Sequence, residues 1–190
     1  MSTVLEYPQR HLVSAQEYLN MGEAGVFAPE ARLELIEGEI IEIAPIGSPH
    51  AGAVKTLLRL LVQRAGDRAI VSVHDPVVVT DWSVPQPDLA LLKPRDDDYS
   101  RSHPVAADVL LAIEVADTTL NFDVGTKAPL YARCGIPEVW IVDLNARTMR
   151  IYREPSAKGY QTSFIVTPEE SVESVALPQV RIAARELFSK

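Results

Sequence analysis

The sequence predicts an α/β fold: a mixed β-sheet flanked by helices, with an N-terminal helix and hairpin before it and a C-terminal β-rich tail after it. Three observations carry this. Val109 to Ala116 is an almost unbroken apolar run, the pattern of a strand buried on both faces. Val54, Leu57, Leu58, Leu61 and Ala65 recur at helical spacing between Pro49 and Gly66, so a helix with one apolar face stands ahead of the strands. The order strand, helix, strand from Val109 to Leu144 is a crossover, which makes its two strands parallel and adjacent or nearly so.

Taken in order, Ser14 and Glu17 have capping-box spacing, and Val13 can staple against Tyr18, so a short helix starts here. Leu33 to Ile36 and Glu39 to Ile43 read as a hairpin turned at Glu37-Gly38, where glycine accepts a positive φ. Ser48 before Pro49 reads as an N-cap followed by proline at the first helical position. Ala69 to Thr80, broken by the turn-like His74-Asp75-Pro76, and Pro87 to Leu92 read as successive strands. Asp96, Asp97 and Asp98 lie in a polar stretch read as a solvated loop. The crossover helix is predicted from Asn121 to Arg133, ended by Gly135. Pro129 starts that helix near Lys127 or kinks it there, because proline cannot donate to the carbonyl four residues earlier. Glu138 to Leu144 and Thr148 to Glu154 form a further strand pair. Tyr160 to Val166, Ser174 to Ala176 and Ile182 to Phe188 are the β-prone pieces of the tail.

With 190 residues and neither repeat nor low-complexity linker, 1–190 reads as one domain able to bury its own core. The net charge of −8 disfavours a protein that grips nucleic acid mainly through its phosphates, unless metal ions supply positive charge at the reacting phosphate. Cys134 is the single cysteine, which excludes an intramolecular disulfide and a cysteine-rich zinc cluster. The N-terminus has no apolar core of signal-peptide length and no apolar stretch is long enough to span a bilayer, so the expected location is cytoplasmic, with no membrane contact. A phosphate-cradling glycine loop, a G-x-S-x-G elbow and an H-E-x-x-H pair are all absent from the sequence.

Glu114 is the most informative residue. An ionised carboxylate on a central strand must find a cation or take a large desolvation cost. Period-two alternation puts Leu110, Ala112, Glu114 and Ala116 on one face, with Glu114 near the carboxyl end, where open α/β sheets place ligands. Asp88, directly after Pro87 at the start of an apolar strand, is the second carboxylate; on neighbouring strands the two would hold a hard cation completed by water and a substrate phosphate. Asp123, Lys127 and Tyr131 recur every four residues and can line one helical face turned towards Glu114, although Asp123 and Lys127 at this spacing also fit an exposed ion pair. Tyr131 suits either simple packing or a hydrogen bond to Lys127 or a phosphate. His50, in the first turn of the long helix, suits either substrate contact or a surface or capping role. His74 is read as a turn residue and Cys134 as a packed helix end.

The segments Q-P-D-L-A-L-L at 86–92, A-I-E-V-A-D at 112–117 and D-V-G-T-K-A-P-L-Y-A-R-C-G-I-P-E-V-W-I-V-D-L at 123–144, with L-E-L-I-E-G-E-I at 33–40 and P-H at 49 and 50, resemble the Uma-two family of restriction-endonuclease-like proteins over most of the chain. That family is similar to the PD-(D/E)XK nucleases. The resemblance implies a restriction-endonuclease-like sheet, metal-dependent cleavage of a nucleic acid backbone, and Mg²⁺ or Mn²⁺ as cofactor. Carried over by residue, it makes Asp88, Glu114 and the backbone carbonyl of Val115 the metal ligands, Lys127 the catalytic lysine, and Glu34 an N-terminal glutamate approaching the same site. Two positions depart from the pattern: Ala116 stands where E-X-K has its lysine, and Asp117 where serine is common.

The function expected is a metal-dependent endonuclease hydrolysing phosphodiester bonds in DNA, or in RNA, with a homodimer implied by the resemblance. The competing expectation is a catalytically weak or inactive nuclease-fold module that binds nucleic acid or protein, motivated by the acidic charge, Ala116 and Asp117.

Overall fold

The computed structural model describes residues 10–188, so most of the N-terminal stretch searched for a leader lies outside the described residues. Helix α1 (Ala15–Glu23) opens on the predicted capping box: the Glu17 N–H donates to Ser14 Oγ, and the Ser14 N–H donates to the Glu17 carboxylate at 2.8 Å. Tyr18 is buried with Ala15, Leu35 and Val84, and Val13 packs against this small cluster, as the staple requires.

Strands β1 (Leu33–Ile36) and β2 (Glu39–Glu42) form the hairpin. Both turn residues are left-handed, Glu37 at φ 51° and Gly38 at φ 83°, the sense that matches the twist of the strands. A Cβ at Gly38 would stand 2.7 Å from Leu12 Cβ. Gly38→Ala is therefore expected to lower stability by about 1–2 kcal/mol through left-handed strain, read as a lower urea midpoint; an unchanged midpoint would mean that Leu12 yields and the turn tolerates the methyl group.

Helix α2 (Ser48–Ala65) begins one residue earlier than the sequence suggested, because Gly47 is the N-cap and no side chain caps the helix. A proline anywhere in the first turn sacrifices no helical hydrogen bond, so a Ser-Pro pair does not distinguish the two registers. Gly66, at φ 54°, ends the helix.

The main sheet has the order β3 (Ile70–Val73), β4 (Leu89–Leu92), β5 (Val109–Ala116), β6 (Glu138–Asp143), β7 (Thr148–Ser156), β8 (Gly159–Val166). Only β5 and β6 run parallel; every other neighbouring pair is antiparallel. The apolar run thus becomes a central strand with the predicted bounds, and the crossover returns beside it. Leu57 and Leu61 of α2 pack on one face of the sheet with Leu111, Ile113, Val115 and Trp140. Ala128 and Tyr131 pack on the other with Ala112, Ala116, Val139 and Ile141. Leu110 does not share the Ala112 face: the register shifts between Leu91 and Leu92, so Val109 takes that side and Leu110 packs against the α2 side.

The crossover holds α3 (Leu120–Phe122), a π turn (Asp123–Lys127) and α4 (Ala128–Arg133). The Ala128 N–H bonds to the Asp123 carbonyl, five residues back. Pro129 is the physical cause, since in a regular helix its ring would strike the Gly125 carbonyl; the widened turn relieves this.

Three β-prone predictions change. Val77 to Thr80 is not a sheet strand; it turns away after His74, at φ 55°, and makes isolated bridges from Val78 to Val105 and from Thr80 to Ser83. In the tail the strands are β9 (Ser171–Glu173) and β10 (Arg181–Ala183), not Ser174 to Ala176. Ser174 closes the pair by donating to the Val180 carbonyl, and the chain turns around Pro178, which has no N–H to give a ladder. Arg185–Phe188 is a short helix, α5, with the Ala183 N–H held by Glu186 at 3.0 Å. Among the described residues no helix is long and apolar enough to cross a membrane.

Candidate active site

The carboxyl end of β5, the start of β4, the N-terminal hairpin and the crossover meet on the α4 face of the sheet. Glu114 projects from β5 between Ala112 and Ala116, small residues that leave room for its carboxylate. Lys127 lies on the π turn, with Nζ 3.2 Å from each oxygen of Glu114 and 2.9 Å from Glu34 Oε1. The widened turn places Lys127 and Asp123 both inward; both are buried, which rules out the exposed ion pair. The Tyr131 hydroxyl donates to Glu114 Oε1 at 2.7 Å. Glu34 arrives on β1, whose hairpin docks through the Val84 N–H to Leu35 carbonyl bond and a hydrogen bond from Gln86 to the Leu33 carbonyl.

Asp88 sits just before β4 and faces another way. Its Oδ2 accepts the Val115 N–H at 2.7 Å, while Oδ1 lies 3.0 Å from His50 Nε2 and 3.1 Å from His74 Nε2. Three ligand atoms, one each from His50, His74 and Asp88, all lie within 4.8 Å of one another. Glu114 is not part of that group, so Asp88 and Glu114 head two sub-clusters joined through the backbone of Val115. His50 comes from the first turn of α2. His74, read from sequence as a turn residue, does face the site: β3 pairs with β4 so that Val73 opposes Leu89, which brings His74 beside Asp88. The antiparallel pairing of two short apolar strands was the signal that could have found it.

The charge balance is unusual for an interior. Glu34, Asp88, Glu114 and Asp123 are 3%, 6%, 2% and 3% exposed, against a single buried ammonium among the described residues, Lys127, at 4%. Burial pushes Glu114 well above the usual carboxylate range, against the pull of Lys127 and with the push of Asp123, Asp88 and Glu34. Burial raises Glu34 and Asp123 as well, again opposed by Lys127. Burial disfavours the charge on Lys127, but Glu114, Glu34 and Asp123 outweigh it and hold the ammonium protonated. Burial also works against an ionised Asp88, yet hydrogen bonds from His50, His74 and the Val115 N–H keep its carboxyl far below the ordinary range. Glu34 Oε2 is buried with no hydrogen-bond partner. A cavity of about 140 Å³ opens over these groups and is also lined by Asp117, Thr118 and Thr119. An excess of buried carboxylate, an orphaned oxygen and a histidine–carboxylate group fit a divalent cation and an anionic substrate.

Comparison with known proteins bears on the family and the fold. The Uma2 family profile, described as "Putative restriction endonuclease", matches residues 15–185. A crystal structure described as a putative nuclease belonging to DUF820 from Anabaena variabilis ATCC 29413 superposes with a TM-score of 0.77 at 18% identity, covering 93% of this chain and 98% of that one. The type IIG restriction endonuclease BpuSI also aligns, with a TM-score of 0.43 at 15% identity over 77% of this chain and 17% of its own. No curated protein matches the sequence.

Proposed function

This chain belongs to the Uma2 family of putative restriction endonucleases, and from that premise we propose that it is a metal-dependent endonuclease that hydrolyses phosphodiester bonds in DNA, with RNA as the alternative substrate. The observation that carries the reading is the set of four buried carboxylates beside one cavity, three of them sharing a single ammonium, Lys127, and the fourth, Asp88, held by two imidazoles, an arrangement that suits an added cation.

Asp88, Glu114 and the carbonyl of Val115 would hold Mg²⁺ or Mn²⁺. Such an ion polarises a phosphate oxygen and lowers the pKa of its bound water. Lys127, fixed by Glu34 and Glu114, keeps its proton and presents a stationary positive charge to the phosphate. Tyr131 orients Glu114 through its hydroxyl. Glu34 Oε2 is a buried acceptor free to take a hydrogen bond from the attacking water. The interaction of Lys127 with Glu114 favours this reading over a non-cleaving module, because it supplies from the crossover the cation that Ala116 lacks. The net charge of −8 makes weak grip on nucleic acid part of the same reading, with the bound ion supplying local positive charge. The homodimer that the resemblance implies belongs to the same proposal, since two copies related by a twofold axis could each cut one strand of a duplex.

A nicking assay on plasmid and single-stranded DNA tests it. Wild type should cut with Mg²⁺ or Mn²⁺ and not with chelator, and Asp88→Asn should cut about a hundredfold more slowly or worse. Equal rates for both proteins would place the activity outside this site. No cleavage of any substrate by wild type would favour the binding module.

A further inference from the structure

We propose that His50, His74 and Asp88 form a metal centre that takes a divalent first-row transition ion, such as Mn²⁺, in preference to Mg²⁺. This rests on the reading that a cation serves the cavity, and it changes which side chains hold the ion and which ions they accept. Three separate elements supply the ligands: the first turn of α2, the residue after β3 and the residue before β4. Both imidazoles aim the same nitrogen, Nε2, at the same oxygen, Asp88 Oδ1, at 3.0 and 3.1 Å. Two ligand atoms each about 2.1 Å from one ion and at a right angle to one another stand roughly 3 Å apart, so the spacing is that of neighbouring positions around a metal.

The surroundings suit this role. The second oxygen of Asp88 is fixed by the Val115 N–H at 2.7 Å, an outer hydrogen bond that sets the direction of the first. The imidazole rings lie 6.3 Å apart and only 25° from parallel, so neither blocks the other's approach. The side chain of His74 is 32% exposed while those of His50 and Asp88 are 12% and 9% exposed, so the group can be reached from solvent on the His74 side. Glu114, by contrast, has its oxygens engaged by Lys127 and Tyr131. Mg²⁺ prefers oxygen ligands and gives up water reluctantly, whereas imidazole suits the transition ions, so two histidines on one carboxylate select against Mg²⁺.

The test is Mn²⁺ binding to the full chain, followed by electron paramagnetic resonance with pulsed detection of ¹⁴N coupling. Wild type should bind one Mn²⁺ with imidazole nitrogen coupling, and Mg²⁺ should fail to displace it even at about a hundredfold excess. His50→Gln and His74→Gln, shown to be folded by circular dichroism, should each weaken binding by about tenfold or more, whereas Glu138→Gln, whose oxygens are held by Trp140, Arg153 and the Val175 N–H away from the cavity, should change it by less than about threefold. The nitrogen coupling is read on the wild-type protein and does not depend on any variant folding. Bound Mn²⁺ without nitrogen coupling, lost in Glu114→Gln, would overturn the histidine centre and leave the carboxylate site of the proposed nuclease standing. Absence of any bound Mn²⁺ would overturn both.

Discussion

Glu114→Gln is expected to slow cleavage severely while leaving the protein at least as stable as wild type, and more stable than wild type above neutral pH. The two effects have one cause. Burial and neighbouring carboxylates raise the folded-state pKa of Glu114, so its neutral form is the one the fold prefers. A group raised in this way stabilises the fold fully below the ordinary glutamate range and loses that contribution as pH climbs through the raised value. Glutamine stays neutral throughout and still offers an oxygen to Tyr131 and Lys127, so its advantage grows with pH. Without the negative charge, cleavage should fall by about 10²- to 10³-fold. Glu138 supplies the contrast: it is as deeply buried, but Trp140 Nε1 at 2.9 Å, Arg153 Nε at 2.7 Å and the Val175 N–H at 2.9 Å satisfy both its oxygens. Glu138→Gln should cost about 1.5–3 kcal/mol and leave the rate per folded molecule unchanged. Urea titrations and the nicking assay on both variants decide it; a large loss of stability in Glu114→Gln would make that residue a structural one.

Lys127→Met is expected to have the largest effect on stability, about 3–5 kcal/mol of destabilisation, or a melting temperature lower by roughly ten degrees. The ammonium is the shared partner of Glu34 and Glu114, and its removal leaves two carboxylates in the interior without a cation. Both would answer by holding their protons to higher pH. Their folded-state pKa values, already raised, rise further, so the variant keeps most of its stability below the ordinary glutamate range and loses it as pH increases. The deficit should therefore be small near about pH 5 and large near about pH 8. Urea midpoints at both values test this, and an equal deficit would show that lost packing, not lost charge, is responsible. Cleavage should be undetectable in either condition.

Much of the fold was legible because burial leaves a strong pattern. Val109 to Ala116 is apolar at nearly every position because both faces of β5 are covered, and the lone Glu114 within it drew attention to the candidate site. The capping box at Ser14 and the Glu37-Gly38 turn are local chemistry and were found at the right residues. The less visible features depend on neighbours distant in sequence. Nothing near His74 announces Asp88, since the two meet only once β3 lies beside β4. Leu110 changes face because of a register shift against Leu91 and Leu92 that its own segment does not encode. The spacing of Asp123, Lys127 and Tyr131 suggested a shared face but not a widened turn, which Pro129 imposes by steric conflict. Tail strands of three residues fall below what alternation can resolve.

The hydrogen bond between Glu34 and Lys127 spans 93 positions of the chain. On a ribosome adding about 5–20 residues per second, the hairpin bearing Glu34 is made roughly 5–20 seconds before its ammonium partner. Until then the glutamate has no cation to be buried against and stays hydrated, and the cavity lacks the residues that the crossover gives it. An unfinished chain therefore carries no assembled carboxylate–ammonium cluster until the crossover has been made.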